Sequence, residues 1–314
     1  MSTSRRSDGS LGDPSIATRR PSIEGLYGPR SEAWRLNREA VMLMVAGPRA
    51  LLMQVAHPLV AEGVDQHSRF REDPWARLEG TIASFLTVVY GTRPAALGEI
   101  ARLNGLHRGI VGPVRDEAAA RIAEEYSARD PALSLWVHAT LVDSTIVAYD
   151  ALVERLSRER RARFYAETRP VARLFGVPDT LIPADLEAFE AYLARSIGSD
   201  GPVHPSDASR EIAWHILHPT FGPLHPALGW IPRWAATWTF WPAVALLPEP
   251  LRAAYGLRLG PLERATGAWL TAAWRGWRPL LPASFRQMAA ARSANARIAR
   301  AGPSHGPARP IVRQ

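Results

Sequence analysis

Residues 74–91 read PWARLEGTIASFLTVVYG. Leu78, Ile82, Phe85 and Val89 recur at i, i+4, i+7 and i+11, which puts them on one stripe of an α-helix. Pro74 suits the first turn, and Gly91 stops the helix. The same period governs most of the chain, whereas alternating Val/Ile/Thr runs bounded by turn residues are almost absent.

Working outward, Ser31 can cap a helix over Glu32–Val45 that ends at Gly47-Pro48. A second runs from Arg49 past Pro58, where a kink or stop is expected. A helix from Pro94 to Val111 places Leu103, His107, Ile110 and Val111 on one face and ends at Gly112-Pro113. A short acidic helix follows over Glu117–Arg129. Asp130 and Pro131 then open a long apolar helix to Leu152.

SRERRARFYAETRPVARLFG, PADLEAFEAYLARSI and PSDASREIAWHILH read as three amphipathic helices. Two more are expected around Leu262–Trp274 and Ala283–Ala301. No repeat and no long linker divides the chain. It reads as all-α: one multi-helix domain over 31–300, a disordered arm over 1–30 and a basic tail over 301–314.

Composition removes large classes of chemistry. There is no cysteine among the 314 residues, which excludes disulfides, thiolate haem ligation, iron–sulfur clusters and cysteine nucleophiles. Every one of the 38 basic residues is arginine, so the net charge of +8 looks like a coding bias. Six arginines and no acid lie between Phe285 and Gln314, but no aromatic residues interleave with them beyond Phe285, so nucleic acid is not expected.

The N-terminus fits neither a secretory nor a twin-arginine signal, and a cytoplasmic location is expected. WAATWTFWPAVALL (234–247) is shorter than the roughly 20 residues a spanning helix needs. It reads as a buried or interfacial helix, and with the arginine-rich end it leaves peripheral membrane contact open.

Nine histidines and the carboxylates are the available ligands. His215 and His218 form the one i, i+3 pair, with Glu211 a turn earlier, but Pro219 ends that helix. A haem needs only one axial nitrogen in an apolar pocket. His57, His107 and His138 all lie on or beside apolar helical faces, and spacing does not choose among them. Neither GxGxxG, GxxxxGK[ST] nor GxSxG occurs. Asp143 and Ser144 follow His138 on one helix, which fits a core hydrogen-bond network better than a triad.

Four motifs in order, AHPLVAxGVxxHSxF, DPxxRLxxT, HRxIVG and LWVHATLVDS, occupy residues 56–144. With LLPEPLRAAYGL and RPLLPASFR further on, they resemble the oxygenase family that joins the rubber oxygenase (latex-clearing protein) catalytic domain with the fungal ER-bound oxygenase MpaB. The resemblance covers most of residues 27–300. It implies a globin-like helical core, b-type haem and oxidative cleavage of an isoprenoid double bond by dioxygen. It assigns the proximal iron ligand to His107, and donors on the distal face to Arg77 and Thr81.

An acidic base in the family has Glu62 as its nearest counterpart here. The family's distal lysine falls on Gly80, so no lysine can cap the iron in this chain. That departure, with the lack of an export signal, points from polymeric rubber to a small apolar, lipid-like substrate. His57 then becomes a core residue at the helix bend beside the pocket. The alternative is a haem- or lipid-binding protein without turnover. Oligomeric state is not legible.

Overall fold

A computed structural model of the chain describes residues 25–68, 70–218 and 240–301. Among them the protein is all-α apart from one two-stranded ribbon. The expected helix from Glu32 is two helices, α1 (Glu32–Asn37) and α2 (Val41–Val55). Ser31 caps the first as expected, its Oγ accepting from the Trp34 N–H at 3.1 Å.

Gly47-Pro48 does not end a helix, and Pro48 lies inside α2. Proline there forgoes the ladder bond to the Met44 carbonyl. Burial of Val45, Ala46, Ala50, Leu52 and Met53 around it holds the helix together. The stop comes at Pro58: α3 (Pro58–His67) leaves α2 at 101°.

The helix quoted first stands as read. Residues Pro74–Tyr90 form α4, with Asp73 accepting from the Ala76 N–H at 3.0 Å and Gly91 at the C-cap. Thr92 then caps α5 (Arg93–His107). This helix ends four residues short of Val111. Val111–Pro113 instead form strand β1, paired antiparallel with β2 (Glu125–Ser127) around the single-turn α6 (Glu117–Ala120). The face predicted to join His107 to Ile110 and Val111 therefore does not exist as a helical face.

The remaining helices are α7 (Pro131–Leu152), α8 (Arg158–Leu174), α9 (Leu186–Ile197), α10 (Asp207–Leu217), α11 (Glu249–Ala254), α12 (Pro261–Trp277), α13 (Ala283–Arg286) and α14 (Ala289–Arg300). The helix expected over Ala283–Ala301 breaks because Gln287 bridges Glu39. The Ala40 N–H donates to the Arg286 carbonyl and the Met288 N–H to the Arg38 carbonyl, each at 2.8 Å. Residues 38–40 and 286–288, far apart in sequence, are thereby tied together.

The core is organised on α7 and α2, the most extensive helix pair. Residues from α1, α4, α8, α9, α10 and α14 join the same apolar cluster. Trp34 meets Tyr90 edge-on at 4.9 Å between ring centres, and Tyr165 stacks on Phe189 at 4.7 Å. Across the α2–α7 pair, Arg49 Nη1 donates to Ser144 Oγ and Asp143 Oδ2, both at 2.7 Å, while Nε donates to the Leu246 carbonyl at 2.8 Å. Asp143 and Ser144 thus do form a core polar network. Its third member, Arg49, escaped the sequence reading although a lone arginine in an apolar helix calls for a partner.

Of residues 234–247, 240–245 are helical, with Phe240, Ala243, Val244 and Leu247 buried. Positions 234–239 lie outside the described residues, as do nearly all of the predicted N-terminal arm and C-terminal tail.

Candidate functional site: neutral imidazoles and an unpaired arginine

Helices α4 and α5, joined through Gly91-Thr92 and packed on each other, form an αα-hairpin. Arg102 Nη2 donates to Ser84 Oγ at 3.2 Å between them. Arg77 lies in the first turn of α4 and His107 is the last residue of α5. The antiparallel arrangement puts both at the end of the hairpin away from the turn.

Arg77 is half-buried, and its guanidinium makes no hydrogen bond or ion pair among the described residues. Burial alone pulls its guanidinium below the ordinary arginine range. A helix-surface salt bridge from Arg77 to Glu72 or Asp73, the structural alternative for this residue, is not formed among the described residues, and Asp73 instead caps α4. Thr81 is exposed and donates to the Arg77 carbonyl at 2.9 Å. Gly80 faces open space, with nothing within 4 Å of where a Cβ would stand.

The three histidines differ in surroundings. His107 is half-buried, and desolvation lowers its pKa. His138 lies on α7, and its Nε2 is buried without a partner. Desolvation lowers its pKa to about 4, so the ring is neutral at pH 7. Ser134, Val137, His138 and Leu141 share one stripe of α7 and stay accessible, unlike the buried Leu135, Trp136, Ala139 and Val142.

His57 sits at the N-cap of α3, in the α2–α3 bend assigned to it. It is 6% exposed, with Nδ1 buried and unpartnered. Burial, opposed by Asp130 and aided by His204, lowers its pKa to about 4. His57 and His138 are the histidines with orphaned ring nitrogens among the described residues.

Glu62 is committed elsewhere. It is 2% exposed, and its Oε1 accepts the backbone N–H groups of Arg115 at 2.8 Å and Asp116 at 2.6 Å. Its Oε2 accepts from Gln66 Nε2 at 2.6 Å, and Gln66 also donates to the Pro113 carbonyl. Glu62 therefore fastens α3 to the segment entering α6. His215 and His218 assemble no metal site: Glu211 pairs with Arg71, His215 packs edge-on against Phe70, and no group of three ligands occurs among the described residues.

A family model described as "ER-bound oxygenase mpaB/B'/Rubber oxygenase, catalytic domain" matches residues 34–283. The chain belongs to this family. No curated protein and no solved structure matches it. As an MpaB/rubber-oxygenase-family member it is an oxygenase, which implies a substrate and dioxygen. The hairpin, the α2–α3 bend and the first half of α7 all fall inside the matched span.

Proposed function

We propose that this oxygenase is haem b-dependent and acts on a small apolar, isoprenoid- or lipid-like substrate. The observation that carries this reading is the α4–α5 hairpin, which sets the imidazole of His107 and the uncompensated guanidinium of Arg77 at one end. The donor set fits the group. Haem supplies four nitrogens of its own and asks the protein for one, and single desolvated imidazoles are what the family's blocks provide.

His107 would hold the iron. Haem, when bound, would supply the redox centre at which dioxygen is used. Desolvation keeps the His107 imidazole in its neutral, electron-donating form. Arg77, with no carboxylate to answer it among the described residues, would offer its N–H donors to orient an anionic or polarised oxygen, and the fixed helix means little reorganisation. Thr81 lies one turn on, its hydroxyl hydrogen engaged by the Arg77 carbonyl and its oxygen left as an acceptor. Leu78, Ile82 and Phe85, half-buried along the same face, supply an apolar wall that disfavours water.

His138 is the second candidate for the iron, favoured by its orphaned Nε2. Absorption spectra of protein produced with haem supply separate the two. A Soret band lost in His107→Ala and kept in His138→Ala and His57→Ala supports the assignment, and loss confined to His138→Ala transfers it. A well-folded protein that stays colourless after reconstitution refutes haem dependence. Dioxygen uptake with unsaturated lipids then separates an oxygenase from a haem- or lipid-binding protein without turnover.

A further inference from the structure

Among the described residues the most exposed large apolar side chains lie close together in the sequence: Leu262, Trp269, Trp277, Leu280 and Phe285 are each between 67% and 76% exposed. Helix α12 shows why. Leu262, Ala265, Trp269, Ala272 and Gly276 recur at i, i+3, i+7, i+10 and i+14, and all are exposed. The opposite side faces the protein: Gly267 is buried beside Ala245, and Trp274 packs against the main core.

The helix is thus apolar on both faces, about 25 Å long at 1.5 Å per residue, and no element among the described residues covers its outer face. Trp277 and Leu280 extend that surface past the helix end. A patch of this kind marks an interaction site.

Charge identifies the occupant. From Arg258 to Arg300 there are eight arginines, one of them, Arg278, paired with Glu39, against one acid, Glu263. Arg258, Arg264 and Arg300 are exposed, and Arg264 and Arg275 flank the apolar arc of α12 on one side. A bare apolar arc with tryptophans, bordered by arginine, matches an interfacial helix on an anionic bilayer, with indoles at the headgroup level and guanidiniums meeting lipid phosphates. A second copy of the chain would bring the same arginines to the same face and be repelled.

We propose that α12 and the turn to Phe285 dock the protein peripherally on an anionic phospholipid membrane. Residues 234–247, read from the sequence as a buried or interfacial helix, are buried or half-buried over their described part, 240–247. The surface is independent of the reaction, so its failure leaves the haem reading untouched, and the reverse holds.

The test is flotation of the full chain with vesicles of phosphatidylcholine and phosphatidylglycerol at low salt, against pure phosphatidylcholine. Trp269→Glu/Trp277→Glu, two exposed changes, is expected to keep the helical circular dichroism and to lower partitioning by roughly tenfold or more. Arg264→Glu/Arg275→Glu is expected to weaken binding to the anionic vesicles alone, as is high salt. No flotation with the anionic vesicles overturns the proposal, and so does binding unchanged in the tryptophan variant. A concentration-dependent dimer lost in that variant, without vesicle binding, would give the face to a second copy.

Discussion

Acid should destabilise this fold through two histidines well before its carboxylates protonate. His57 and His138 have pKa values near 4 when folded against about 6.5 when unfolded. A lowered histidine pKa means that the unfolded chain binds more protons, so stability is full above pH 6.5 and falls as pH drops toward 4. At pH 5 an unfolded imidazole is almost fully protonated and a folded one about nine-tenths neutral. Each therefore costs about 2 kcal/mol relative to pH 8. Two such terms, about 4 kcal/mol, are a large share of a typical 5–15 kcal/mol.

Glu99 and Glu211 have lowered pKa values, set chiefly by bonds to Arg102 and Arg71, and lose their contributions only as pH falls through about 4.5, the ordinary carboxylate value, and below. The interval from pH 6.5 to 5 therefore belongs to histidine. His107, shifted in the same direction, adds to the slope there. Urea unfolding of the apo-protein at pH 8 and pH 5 measures the effect, with His138→Leu as the perturbation. The leucine variant is expected to lose about 2 kcal/mol less than the parent between the two pH values. Identical losses in the two proteins would show that His138 is not held neutral by burial, and its candidacy as a metal-facing imidazole would lose its physical basis.

Glu62→Gln should cost about 1–3 kcal/mol, because the two N–H groups it accepts lose a charged acceptor. Unchanged urea stability with dioxygen consumption abolished would instead return Glu62 to the role of base. Glu39 is 1% exposed and takes both Nε and Nη2 of Arg278, at 3.0 and 2.8 Å. Glu39→Ala, leaving that arginine unanswered, is expected to cost about 3–5 kcal/mol, and a loss under about 1 kcal/mol contradicts the pairing. Gly80→Ala meets empty space inside a helix, so thermal unfolding should show a gain of about 0.5–1 kcal/mol.

The legible parts of the fold were those fixed by neighbours in sequence. The helix from Pro74 to Gly91 carries its own cap, its own proline and its own glycine stop, and it appears as read. Errors arose where a distant segment intervened. Pro48 stays helical because α2 is buried against α7, α5 ends at His107 because Val111–Pro113 pair with Glu125–Ser127, and the last helix breaks because Gln287 bridges Glu39. The candidate site divides in the same way. The histidines and Arg77 are proposed on motif order, whereas the engagement of Glu62 depends on backbone groups 53 and 54 residues away, which no local pattern reveals.

Polar pairing separates the structural residues of the matched region from those expected to act. Arg49, Glu39 and Glu62 are buried and fully engaged, as stability requires of buried charge. Among the described residues, His57 and His138 each hold a buried ring nitrogen without a partner and Arg77 is half-buried without an ion pair, and each lies in a block that carries the family pattern. An orphaned buried imidazole or guanidinium costs stability that an apolar side chain of similar size would not. Departures from local consistency of this kind gather at working sites. Glu62 has three donors while the Arg77 guanidinium has no partner among the described residues, which is what the proposed role of Arg77 at the oxygen site requires. The apo-protein should accordingly gain stability when Arg77 is replaced by Met, even as dioxygen consumption is lost; lower stability in Arg77→Met would mean that Arg77 is a structural cation.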